Sequence, residues 1–263
     1  MLNKLIKYDV KNVYKLLVIF YILSIVFACI TRIFFELEQT LIINIIAQVC
    51  SGITISMIAN IIINNIMRIW ARFRRNLYKD ESYLTHTLPV KKGTIYTAKF
   101  LSLIITMLTS ALVIVITLFI AYYSKDNLEF VKSILLPVAN MYDSSMLSLL
   151  VVVGLVLVVE IITLVQAGFT GIIVGHKFNE NKLGLSVLFG FISYMALQMV
   201  IVITTYISAL FDESMMTLFK TTMITDVNIL KKFLYVGAIA YLICIAITYI
   251  SNIKLLKKGV NVD

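Results

Sequence analysis

Long apolar runs separated by short polar breaks organise this chain. A helix needs about 20 residues to cross roughly 30 Å of hydrocarbon. At that width the pattern predicts six membrane-spanning helices, at Leu16–Phe35, Leu41–Ile66, Phe100–Tyr123, Met146–Val174, Gly184–Leu210 and Phe233–Ile253. Ahead of the first, Leu2, Leu5, Ile6, Val10, Val13 and Leu17 recur at spacings of three and four, while Lys4, Lys7, Lys11 and Lys15 fall mainly elsewhere around the helix. That is the pattern of an amphipathic helix lying in the membrane surface, over residues 1–15. The expected fold is an all-α integral membrane protein, six transmembrane helices preceded by an amphipathic interfacial helix. Residues 1–263 form one membrane domain, because no polar gap is long enough for a second, soluble one.

Composition agrees: 60% of the residues are hydrophobic, only 14% are charged and the mean hydropathy is +0.97, whereas soluble domains carry about a quarter charged residues. Charge adds orientation, because short cytoplasmic loops collect Lys and Arg. With both termini cytoplasmic, 17 of the 23 basic residues fall inside, and six (Arg32, Lys125, Lys132, Lys220, Lys231, Lys232) fall outside. Eight of the 14 acids (Glu36, Glu38, Asp126, Glu129, Asp143, Asp212, Glu213, Asp226) are on the outer side, so the net charge of +9 belongs to the inner face. A basic rim that meets anionic membrane lipid explains it without a nucleic-acid partner. Val26–Cys29, "VFAC", resembles a lipoprotein cleavage box, but Phe27 is too bulky at its position and no A-x-A site follows the run, so the first span reads as uncleaved. Cys29, Cys50 and Cys244 all fall inside spans and read as small hydrophobes, not as a disulfide framework or a metal site.

The longest polar stretch, Phe73–Phe100, lies in the cytoplasmic segment 67–99. As an enzyme site it is poor. His86 and His176 sit in different loops, Asp80 and Glu81 are adjacent in sequence, and there is no HExxH, GxSxG or GxxxxGK[ST] for zinc, a serine nucleophile or nucleotide phosphates. As a docking surface it is better. Asp80 and Ser82 can cap a short helix, Tyr83, Leu84 and Leu88 give it apolar points, and Pro89 ends it near Leu88. A short helix with Tyr and Leu exposed among charges of both signs suits a groove on a partner.

These residues resemble a known family. The order of a basic amphipathic arm, two spans, a cytoplasmic segment with Asp80-Glu81 and Thr87-Leu88-Pro89-Val90, Lys99 at the entrance of the third span, and further spans beyond is similar to the ABC-2 family of ATP-binding-cassette permeases. Its specific part is "DESYLTHTLPVKKGTIYTAK". The resemblance implies a permease that pairs with a second copy or a homologous permease and binds separate ATPase subunits, with a coupling helix between spans two and three. It places Glu81 as the family's acidic residue, Leu88 and Pro89 as its Leu-Pro step and Lys99 as its basic residue. Asp80, Glu81, Tyr83, Leu84, Leu88, Pro89 and Lys99 are then the expected ATPase-coupling residues. The chain itself needs no cofactor, since ATP and Mg would be held by the partner ATPase. A bacterial cytoplasmic membrane is the implied location.

What such a permease moves is less legible. Glu160 is the one carboxylate near the middle of a span; Gln166 lies about 240° around the same helix and Gln198 lies mid-span in the next. Together they are the candidate substrate path, with Glu160 either lining a cavity or tying helices together. Asn60 and Asn64 read as helix glue, and Gly171 and Gly175 as a close-packing face whose partner is not specified. Residues 211–232 are either a plain outer loop or short helices that dip back into the outer leaflet. Rival readings are an ion-coupled secondary transporter, an intramembrane enzyme, and a receptor or assembly factor without flux. An amphipathic peptide, a lipid or a lipophilic drug is the expected cargo. In a background lacking the three cysteines, Lys79→Cys and Lys258→Cys should resist an impermeant maleimide in intact cells while Asn127→Cys reacts; the opposite labelling pattern would sink the orientation.

Overall fold

Without water, every backbone N–H and C=O in a membrane needs a partner within its own segment, and an α-helix supplies all of them. The computed structural model is helical accordingly. It describes residues 1–38, 40–142, 144–220 and 227–259, the side chains of 218, 227, 228 and 230 excepted, and among these there are nine helices and no strand. They are α1 (Leu2–Glu36), α2 (Leu41–Tyr78), α3 (Ser82–Thr87), α4 (Lys92–Tyr122), α5 (Lys125–Met141), α6 (Met146–Gly175), α7 (Lys182–Leu210), α8 (Glu213–Lys220) and α9 (Val227–Lys257). Six of them, α1, α2, α4, α6, α7 and α9, are long and apolar enough to cross a membrane, so the chain is an all-α, multi-pass membrane protein. Asp143, Asp226 and the stretch 221–226 of the outer segment lie outside the described residues.

The chain divides into two compact units, residues 1–75 with 88–131, and residues 76–87 with 132–263. In the first, α1 packs along α4, and hydroxyl pairs fix the register. Tyr14 meets Thr109 at 2.7 Å, Tyr21 meets Ser110 at 2.7 Å and Ser24 meets Thr117 at 3.2 Å. Both numbers rise together, so α1 and α4 run parallel. Contacts with α2 run the other way: Thr31 meets Thr54 at 3.0 Å, Ser51 meets Tyr122 at 2.7 Å, and Asn65 donates to Ser110 Oγ at 2.8 Å and to Thr106 O at 3.0 Å. Such alternation is what successive membrane crossings require. The basic arm is not a separate element: α1 runs unbroken from Leu2 to Glu36. Its apolar stripe turns Asp9, Val13 and Leu17 into the protein, while Lys4, Lys7, Lys11 and Lys15 stay exposed.

The second unit repeats the logic with glycine. A Cβ on Gly171 would stand 2.4 Å from the backbone of Gly190 and Ser186, and one on Gly175 would stand 2.5 Å from Ser186 N. Thus the Gly171/Gly175 face packs on α7 of the same chain, and the two backbones touch. Asn181, in the left-handed region at φ 44°, turns the chain between α6 and α7 and caps α7 by accepting from Gly184 N. Helix α9 packs on both α6 and α7. Thr248 donates to Gln166 Oε1 at 2.7 Å and Thr170 donates to Asn252 Oδ1 at 2.9 Å, so α6 and α9 are parallel.

Two helices, α5 and α8, form in segments expected to be outer loops. Residues 125–141 form α5, capped where Asn127 N donates to Ser124 Oγ. At 100° per residue Phe130, Val131, Ile134, Leu135 and Val138 share one side and Lys125, Asp126, Glu129 and Lys132 the other, so charge lowers the hydropathy without breaking the helix. Within 211–232, α8 is a short helix packed on α7 and α9 with Met215 buried. Asp212 caps it, accepting from Ser214 N at 3.0 Å, and meets Lys232 of α9 at 2.5 Å. The lysine's hydrogen bond, helped by Ser214, holds the Asp212 carboxyl down at about 2. Gly171→Val should cost about 2 kcal/mol through overpacking and lower the thermal unfolding midpoint in detergent. Gly154→Ala, with nothing within 4 Å of the added atom, should leave it unchanged; equal midpoints for both variants would refute the close α6–α7 contact.

Candidate functional site

Tyr78 ends α2 as a fully buried side chain, its ring 4.3 Å from that of His176, and burial pushes its hydroxyl well above the usual range. Three residues on, the chain reverses into α3. The reversal is held by Asn76, which donates to Glu81 Oε2 at 2.7 Å, and by His86, whose Nε2 lies 3.1 Å from Leu77 O and must therefore carry the donated proton, a carbonyl being an acceptor only. Ser82 and Thr85 are buried beneath the helix, and Thr85 Oγ1 donates back to Glu81 O. What remains outward is Tyr83, 70% exposed, and Leu84, 72% exposed. A six-residue helix is far too short to be stable alone, so these anchors are what hold two large side chains exposed on it.

The expected coupling residues thus separate by role. Tyr83 and Leu84 are presented, Asp80 is exposed beside them, and Glu81 is spent on holding the reversal. The Ser82 hydroxyl is buried and makes no hydrogen bond, so it is not the cap anticipated from its position. In the first unit, Leu88 and Pro89 are exposed. Lys99 is not on the surface: it is 7% exposed, and its Nζ donates to Asp9 Oδ1 at 2.6 Å, the atom that Arg72 Nε also approaches at 3.2 Å. Its role is to close the α1–α4 interface around Asp9, a buried acid that the sequence pattern did not single out.

The intramembrane candidates also separate. Glu160 Oε1 accepts from Tyr194 OH at 2.6 Å and from Gln198 Nε2 at 2.8 Å, and Tyr241 OH donates to Gln198 Oε1 at 3.2 Å. One carboxyl of α6 is therefore oriented by two residues of α7 and, through the amide, by one of α9. Gln166 is elsewhere, fully buried against Thr248, as its 240° offset from Glu160 anticipates. Tyr194 and Tyr241 were not singled out from sequence, since tyrosine is common in spans; the usable signal was Tyr194 and Gln198 at i and i+4, on one face of a helix.

Each histidine has one ring nitrogen tied to the backbone: His176 Nδ1 donates to Ile172 O at 2.8 Å and His86 Nε2 to Leu77 O at 3.1 Å. Among the described residues no group of three His, Cys, Asp or Glu side chains could hold a metal ion. No protein family, curated protein or solved structure matches the chain. The Asp9 ion pair carries a prediction. Asp9→Ala, which leaves buried Lys99 and half-buried Arg72 without that acid, should lose on the order of 3 kcal/mol and lower the unfolding midpoint. Asp9→Leu combined with Lys99→Met should recover much of it. A midpoint unmoved by Asp9→Ala would show the pair to be incidental.

Proposed function

We propose that the chain is the membrane-spanning subunit of an ATP-driven exporter, coupling hydrolysis in a separate ATP-binding-cassette ATPase to export of an amphipathic substrate. The observation that carries this reading is α3. A short helix pinned by Asn76–Glu81 and His86–Leu77 offers Tyr83 and Leu84 to water, and two such side chains are normally retained on a rigid mount only where a partner covers them. The likeness of "DESYLTHTLPVKKGTIYTAK" to the coupling segment of ABC-2 permeases supports the same partner. ATP and Mg would be bound by that ATPase, and a second permease copy or homologue would complete the transporter, in a bacterial cytoplasmic membrane.

The Glu160 cluster favours a second reading, an ion-coupled secondary transporter, because a single oriented carboxyl inside a span is the usual device for reading an ion. Affinity purification from native membranes separates the two. The exporter reading expects an ATPase to co-purify with the parent chain, and expects Tyr83→Asp with Leu84→Asp to release it while insertion is unchanged, since burying unpaired charge in an interface costs several kcal/mol. Absence of any co-purifying ATPase would overturn the exporter; an ATPase retained by the double variant would overturn α3 as its docking site.

A further inference from the structure

Glu160 presents an unfinished hydrogen-bond shell. Both donors reach Oε1, while Oε2 is buried and without a hydrogen-bond partner. As a carboxylate, Oε2 lacks a donor; as a neutral acid, its proton lacks an acceptor. Either form leaves a buried polar atom unsatisfied, which costs on the order of 1–3 kcal/mol unless something else completes it. Gln198 is committed at both ends, its amide nitrogen to Glu160 and its oxygen to Tyr241; the Tyr241 hydroxyl also bears on the Glu160 carboxyl, but its one proton is spent on Gln198 Oε1, and turning it to Oε2 would strip that amide oxygen of its donor.

The three helices hold no cation close enough to be that partner. Among their described residues, α6 has no Lys or Arg, α7 has Lys182 alone, twelve residues from Tyr194, and on α9 Tyr241 is nine residues from Lys232 and thirteen from Lys254. At 1.5 Å per residue these are about 14 Å or more along the axes. Aromatic rings flank the carboxyl instead, and their faces attract cations. The side of the bundle is the nearest approach: Glu160, Tyr194, Gln198 and Tyr241 are all partly exposed and Leu157, Met195 and Leu242 beside them are exposed, while Oε2 itself is covered, so a ligand reaches it only as the Glu160 side chain turns toward that flank.

We propose that Glu160, Tyr194, Gln198 and Tyr241 form an intramembrane binding site for the cationic head of a lipophilic amine, the ammonium supplying the donor that Oε2 lacks while the alkyl body lies along the apolar flank. The inference deepens the exporter reading, in which this ligand is the cargo, but binding itself needs no ATPase.

The test uses the full chain alone in lipid nanodiscs. Dicyclohexylcarbodiimide, a hydrophobic reagent for carboxyl groups in membranes, is followed at Glu160 by peptide mass spectrometry, with N,N-dimethyldodecylamine, a tertiary amine that cannot form an amide with the activated carboxyl, as the probe and dodecanol and dodecyl sulfate as matched amphiphiles. The amine should slow modification at least tenfold, and the other two should not. Tyr194→Phe, which keeps the carboxyl and the ring but removes one hydrogen bond, should still be labelled and should lose several-fold of the protection. Protection by dodecanol equal to that by the amine would reduce the site to a greasy surface and overturn the proposal. So would a Glu160 that is unreactive in folded protein, as expected were a second copy of the chain to seal it. Protection without any co-purifying ATPase would refute the exporter and keep the site; a co-purifying ATPase without protection would refute the site alone.

Discussion

Inside a bilayer no water is available to finish a hydrogen bond, and most features of this protein follow from that scarcity. It makes each span a helix, since only a helix satisfies its own backbone. It also gives each buried side-chain hydroxyl, amide or acid a specific address. Apolar packing between helices is weakly directional when the surrounding lipid is equally apolar, so the polar pairs carry the register. In the first unit these are hydroxyls: Tyr14 with Thr109, Tyr21 with Ser110, Thr31 with Thr54. In the second they are amides and one acid, assisted by glycines that bring α6 and α7 into backbone contact.

Against that background α3 and Glu160 are places where apolar or polar groups are not finished, as are Asn65 Oδ1 and Gln166 Nε2, each buried without a hydrogen-bond partner. On α3 the incompleteness is chiefly apolar: Thr85, Glu81 and His86 anchor the helix, and Tyr83 and Leu84 are exposed. At Glu160 it is polar: one oxygen is doubly bonded to donors and the other has none. Lys99 shows the contrast, a charged side chain with a buried acid beside it, completing a structural contact. Helix α3 and the Glu160 cluster both lie in the second unit.

The six long apolar helices and the existence of a short helix before Pro89 were legible in the sequence, because each depends on local quantities: about 20 apolar residues in a row, a proline that stops the helix. Helix α5 was not, since its charges lie on one side and dilute a windowed hydropathy that ignores direction. The continuity of the arm with the first span was equally hidden. An apolar stripe broken by lysines suits a membrane surface as well as a protein surface, and only the position of Lys99 and Arg72 around Asp9 decides between them.

Residue types thus determined what could be buried, and tertiary structure decided against what. The sequence alone marked Glu160 as the one acid in the middle of a span and set Gln166 on a different face of the same helix. It could not say that Gln198 would meet Glu160 while Gln166 met Thr248, or that Tyr194 and Tyr241 would join the first pair. Those meetings depend on the rotation and axial shift of three helices against one another, which the glycine contact between α6 and α7 helps to set and no local pattern encodes.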